Sequence, residues 1–169
     1  SGCAGTRIPA RARRQAPVAR VSDGGQLVDL GPDHLPRLME IERRSFASPW
    51  REGDFLYWFG FTGALCLGWA EADGLVAYAL GYRRDQSLHL TSLAVVPERR
   101  RQGVAWTLLQ RVLRWAADQG ATRCSLEVRA TNGAALRLYA RAGFRQMERR
   151  AGYYEDPPDD GVIMEIEIL

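Results

Sequence analysis

Thirteen consecutive residues, Leu93-Ala94-Val95-Val96-Pro97-Glu98-Arg99-Arg100-Arg101-Gln102-Gly103-Val104-Ala105, constrain the fold of this chain more than any other stretch. An apolar strand ends at Val-Pro, a charged turn follows, and an amphipathic helix begins at Gly103. Free N–H groups at such a helix start, with the helix dipole behind them, make an anion site. Gly103 and Ala105 are small enough to let phosphate oxygens approach the backbone, and three arginines add positive charge. On spacing alone, a solvated charged turn before an ordinary helix fits equally well.

The helix expected over 103–119 repeats Val104, Leu108, Val112 and Trp115 on one face, and Gly120 closes it. Strands are expected at 26–30, 64–72, 75–83 and 87–96, with Asp73-Gly74 as a two-residue hairpin turn. Helices are expected at 31–44 and 51–60, separated by Ser48-Pro49-Trp50. After 119 the pattern gives a strand at 123–129, a short helix at 132–142, and strands at 144–150 and 161–168. A single strand-helix-strand crossover flanked by antiparallel hairpins implies a mixed α/β fold: a mostly antiparallel sheet of about seven strands with four helices. No internal repeat or second domain is legible. The expected division is a basic tail over 1–24 and one domain over 25–169.

Composition excludes several chemistries. All 23 basic residues are arginine, so Schiff-base formation, pyridoxal phosphate attachment and a phosphate-loop lysine are ruled out. The cysteines Cys3, Cys66 and Cys124 are far apart and, with only two histidines, do not suggest a metal site. The net charge of +3 conceals an asymmetry: residues 1–20 hold five arginines and no acid, leaving the remainder at −2. Such a segment suits a flexible leader, or contact with rRNA or another polyanion. No apolar run reaches the roughly 18 residues of a membrane span, and no apolar signal region is recognisable, so a cytoplasmic protein is expected.

The Arg100-x-x-Gly103-x-Ala105 pattern resembles the acetyl-coenzyme A signature of the GNAT superfamily of N-acetyltransferases, usually written Q/R-x-x-G-x-G/A. Glu127-Val128-Arg129-x-x-Asn132 and Leu138-Tyr139-x-x-x-Gly143-Phe144 resemble that family's second cofactor segment. Ile41-Glu42-x-x-x-Phe46-x-x-Pro49-Trp50 and Arg150-x-Gly152-Tyr153-Tyr154 extend the likeness to the subgroup that acetylates protein N-termini, such as alanine at the start of a ribosomal protein. The resemblance spans roughly residues 26–167 and implies the GNAT fold with acetyl-CoA as co-substrate and no metal.

The resemblance also implies residue roles. Arg100, Arg101, Gln102, Gly103, Val104, Ala105 and Trp106 would hold the diphosphate, the backbone of Leu93, Ala94 and Val95 would pair with the pantetheine arm, and Asn132 would bind cofactor. Trp106 departs from the small or basic residue expected at that position. Glu127 would be the general base and Tyr139 the general acid. An α-amino group has a pKa of about 7.7–8.0 against about 10.4 for lysine, so its deprotonation near neutrality costs about 3 kcal/mol less. A carboxylate can therefore serve as base, and tyrosine, with a pKa near 10, can protonate a departing thiolate. Phe46, Ser48, Pro49, Trp50, Tyr153 and Tyr154 would wall the acceptor channel, and Pro157-Pro158 marks a variable stretch beside it. A small-molecule amine or internal lysine as acceptor, and a non-catalytic acyl-CoA sensor, are the alternative readings.

Overall fold

The computed structural model describes residues 24–168; the basic segment 1–23 and Cys3 lie outside the described residues. The elements run β1 (Gln26–Asp29), α1 (Leu35–Ser45), α2 (Glu52–Phe59), β2 (Ala64–Glu71), β3 (Gly74–Arg84), β4 (Ser87–Val95), α3 (Val104–Asp118), β5 (Arg123–Arg129), α4 (Gly133–Arg141), β6 (Arg145–Glu155) and β7 (Pro158–Glu167). All seven strands join one sheet in the order β1-β2-β3-β4-β5-β7-β6. Every neighbouring pair is antiparallel except β4 and β5, which α3 connects as a crossover, and α4 makes a second crossover from β5 past β7 to the edge strand β6.

The central strand β3 is buried almost throughout, and α1 and α3 both pack on β3 and β4. On α3, Val104, Leu108, Leu109, Val112, Leu113 and Ala116 form the buried stripe, and Gly120 (φ +81°) ends it. Tyr78 and Tyr82 lie two alternations apart on β3 and so share a face. There Tyr78 bonds Glu42 of α1, and the Tyr82 ring meets Trp58 of α2.

Two departures in this sheet shape the site. The β3–β4 register shifts beside Leu80 and Gly81, leaving Thr91 as an extra residue between Leu90 and Ser92. Gly81 is required there, because a Cβ would lie 2.7 Å from the His89 carbonyl oxygen. The parallel β4–β5 ladder then ends after three pairs, Ser87–Arg123, Leu88–Cys124 and His89–Ser125.

Three boundaries differ from the sequence expectation. A 3₁₀ turn at Pro32–His34 precedes α1, and the His34 Nδ1 accepts the Gly31 N–H at 3.1 Å. Glu71 pairs with Gly74, so the first hairpin turns at Ala72-Asp73 and Gly74 (φ +102°) already begins β3. The largest difference is at the last hairpin: residues expected to loop between 150 and 161 are paired, through Tyr154–Asp159 and Glu155–Pro158. The irregularity between Arg150 and Tyr154, with Gly152 at φ +62°, absorbs the mismatch.

Candidate active site

Past His89 and Ser125 the strands β4 and β5 no longer pair, and the gap opens into a cleft of about 660 Å³. One wall is the end of β4, Leu93 to Val95, whose edge toward β5 has no strand partner. Another is the turn after it together with the first turn of α3. The third is α4 with Asn132 and Tyr139, and Phe46 from the α1–α2 loop closes one end.

The turn is built to present amides. Pro97–Arg99 is a 3₁₀ turn, Arg101 takes φ +59°, and Gly103 takes φ +81° as the N-cap of α3. The N–H groups of Val104, Ala105 and Trp106 therefore start the helix without intrahelical acceptors. Glu71 binds Arg99 at 2.7 and 2.8 Å, and Gln102 accepts a further bond from Arg99 while donating to Glu98 O at 3.0 Å. Arg100 donates to the Val95 carbonyl at 2.9 Å and to Ser45 Oγ at 3.2 Å. The three arginines thus differ: Arg99 is neutralised, Arg100 braces the loop, and Arg101 is exposed.

This cradle fits the diphosphate and pantetheine arm of acetyl-CoA: amides at a helix start, small residues at Gly103 and Ala105, and an unpaired strand edge leading inward. Asn132 caps α4 by accepting the Ala135 N–H at 3.2 Å and also lines the cleft. Tyr139 is 2% exposed, with its ring 6.0 Å from that of Phe144. Among the described residues no group of three or more His, Cys, Asp or Glu gathers to hold a metal.

Glu127 lies on β5 and His89 on β4, and their side chains meet, Nε2 to Oε2, at 2.9 Å. His89 Nδ1 faces Ser125 Oγ at 3.2 Å, and the Tyr82 ring lies 5.2 Å from the imidazole. Sequence reasoning missed His89. Its only sequence signal is that it points, by strand alternation, to the same side of β4 as Ser87.

The residues expected to wall the acceptor channel separate into two groups. Ser48 Oγ donates to the Asp156 carbonyl at 3.1 Å, and Arg129 donates to Asp156 O and Pro157 O at 3.1 and 2.7 Å. These bonds join the α1–α2 loop to the β6–β7 turn. Pro49 and Tyr153 are exposed. Trp50 instead packs against Phe55 and Trp58, at 5.4 and 5.3 Å between ring centroids. Tyr154 is 2% exposed beneath the Arg129 guanidinium, 4.3 Å from its centroid. Glu42, itself buried, accepts the Trp50 N–H at 3.0 Å and the Tyr78 hydroxyl. Burial pushes its carboxyl above the usual carboxylate range, against the opposing pull of those two bonds.

A seven-stranded mixed sheet split beside a helix-start anion cradle defines an acyl-CoA-handling transferase. Residues 35–144 match the acetyltransferase (GNAT) family, and the chain belongs to that family, whose members take the acetyl group from acetyl-CoA. Among its relatives, the ribosomal protein bS18-alanine N-acetyltransferase of Salmonella typhimurium is 33% identical over 143 residues, covering 82% of this chain and 95% of that protein. The Escherichia coli enzyme of the same description is 32% identical over 136 residues, covering 79% and 91%. The crystal structure of the ribosomal-protein-S18-alanine N-acetyltransferase from Escherichia coli superimposes with a TM-score of 0.80 at 30% identity, over 85% of this chain and 94% of that one. Arabidopsis thaliana NAA60 in complex with acetyl-CoA shares the fold, with a TM-score of 0.77 at 20% identity over 85% and 98% of the two chains. No helix among the described residues is long and apolar enough to cross a membrane.

Proposed function

We propose that this acetyltransferase acts on the N-terminal α-amino group of a protein, with alanine at the start of a ribosomal protein as the acceptor, in the cytoplasm. The observation that carries the reading is the 33% identity to a bS18-alanine N-acetyltransferase over 82% of the chain. The His89–Glu127 pair supplies the base that such an acceptor needs.

When bound, acetyl-CoA supplies an acetyl group activated as a thioester. The amides at the start of α3 hold its diphosphate and the edge of β4 orients the arm that carries the thioester. Glu127 takes a proton from the acceptor ammonium, directly or through a water. His89 fixes the orientation of the carboxylate by holding Oε2. Tyr139, on the α4 wall of the cleft, gives a proton to the departing thiolate. Attack is direct, from acceptor to thioester. Burial pushes the Cys66 thiol up to about 11, so its nucleophilic thiolate is scarce near neutrality, and Cys124 is buried in the core.

The test is thiol release from acetyl-CoA with a short peptide beginning Ala-Arg and with its N-terminally blocked twin. Turnover with the free peptide alone supports the reading. Turnover with small amines or internal lysines, and none with the free peptide, would replace it by the alternative acceptor.

A further inference from the structure

A second cavity, of about 460 Å³, lies at the paired end of the β4–β5 ladder and shares no lining residue with the co-substrate cleft. Two rows of residues that run across three strands build it. Arg84 pairs with Ser87 and Ser87 with Arg123; Tyr82 pairs with His89 and His89 with Ser125. Paired residues point to one face, the face of Glu127, and neighbouring strands lie about 4.8 Å apart. Two arginines therefore flank Ser87 on one side of the sheet, their backbones about 10 Å apart. Asp85 and Gln86, from the β3–β4 turn, complete the lining.

The cavity is rich in donors: two guanidinium groups, the Gln86 amide and the hydroxyls of Tyr82, Ser87 and Ser125, with Asp85 as the only carboxylate of the lining. The fold does not use the charge of these two arginines. Arg83, the neighbour of Arg84 on the opposite face, anchors the end of α3 by donating to the Gln119 carbonyl. Arg84 forms no ion pair among the described residues. Arg123 has a contact of only 4.0 Å with Glu165, and its side chain is 58% exposed. Like charges set side by side on a sheet repel. An oxyanion between them removes that repulsion and accepts hydrogen bonds from both guanidinium forks.

We propose that this second cavity binds an oxyanion, a carboxylate or a sulfate- or phosphate-like group, held by Arg84 and Arg123 with Ser87 between them. His89 closes the end nearer Glu127, with Nε2 2.9 Å from that carboxylate, so the occupant is felt by the imidazole that positions the base. The anion has two sources: a free ion, or an acidic side chain of the acceptor itself. Arg123 lies four residues from Glu127 on β5, about 13 Å along the strand. An extended acceptor with its amine at Glu127 thus carries its fifth residue over the Arg84–Ser87–Arg123 row. That second source rests on the proposed acceptor; the site itself does not.

Nuclear magnetic resonance of the full chain, saturated with CoA so that the α3 cradle is filled, tests the site by titration with sodium sulfate against sodium chloride at matched ionic strength. Sulfate is expected to shift the His89 ring signals saturably, and Arg84→Gln and Arg123→Gln each to weaken that response about tenfold while leaving CoA binding unchanged. Both arginines are exposed, so the substitutions spare the core. A second arm compares the KM of two peptides that begin Ala-Arg and differ only in Glu or Gln at the fifth position. A KM about tenfold lower for the Glu peptide, lost in either variant, makes the acceptor the source of the anion. Equal KM values beside an arginine-dependent sulfate response make it a free ion. Absence of both effects would overturn the proposal, as would a sulfate response that survives unchanged in both variants. If neither peptide is turned over, the proposed acceptor falls, and the sulfate titration decides the site by itself.

Discussion

His89 Nε2 and Glu127 Oε2 lie 2.9 Å apart across the point where β4 and β5 part. The last pair of the parallel ladder, His89–Ser125, sets the imidazole two residues short of Glu127 on the neighbouring strand, the spacing at which a histidine reaches a carboxylate diagonally. The ladder's end thus fixes both the opening of the cleft and the orientation of the Glu127 carboxylate.

His89→Gln should lower kcat about tenfold to a hundredfold while leaving the KM for acetyl-CoA near its wild-type value, because the imidazole holds the base and does not line the cleft. Steady-state thiol release with saturating peptide measures it. A variant with unchanged kcat would remove His89 from the mechanism.

Tyr139→Phe should lower kcat about a hundredfold with little change in the thermal midpoint, since the buried ring and its contact with Phe144 remain. Parallel kinetics and thermal denaturation separate this from a packing role, which would reduce stability and activity together.

Gly103→Ala should raise the KM for acetyl-CoA about tenfold, with a smaller effect on kcat. Gly103 adopts φ +81° at the N-cap of α3, so a side chain strains the turn and crowds the approach to the amides. Direct titration with CoA checks it; wild-type affinity would dissociate this glycine from phosphate binding.

The phosphate turn and α3 were legible in the sequence because local signals agree there: Val-Pro ends a strand, Gly103 starts a helix, and the apolar residues recur at helical spacing. The last hairpin was legible only in part: its strands were expected at 144–150 and 161–168, and the pairing nearer the turn, Tyr154–Asp159 and Glu155–Pro158, was not. Strand β6 lies at the sheet edge and is exposed on both faces, so Arg145 to Tyr153 show no alternation to read. Trp50 illustrates a different limit. An aromatic beside a proline suggests a surface clamp, but the contacts that draw its ring onto Phe55 and Trp58 depend on how α2 folds back. His89 was hidden for the same reason: its partner lies on another strand, and the register that joins them is not written in either segment.

Glu42 predicts a pH dependence of stability. Its carboxyl is raised above the unfolded value of about 4.5 by burial. The native state therefore holds the proton more tightly, and stability falls as pH rises from that value through the folded pKa. Glu42→Gln removes the ionisation while keeping an acceptor for Trp50, so its thermal midpoint should gain on the wild type as pH increases from 5 to 8. Glu42→Ala, which strips the acceptor from Trp50 N–H and the Tyr78 hydroxyl, should cost about 3 kcal/mol. A midpoint difference between the Gln variant and wild type that does not vary with pH would contradict this account of Glu42.

The central claim is that Glu127 is the base for an N-terminal amine. The most direct measurement is the rate of thiol release by Glu127→Gln with acetyl-CoA and the Ala-Arg peptide, alongside its affinity for CoA. The account predicts a loss in kcat of about a hundredfold or more with CoA affinity unchanged. Turnover by Glu127→Gln at the wild-type rate would contradict it.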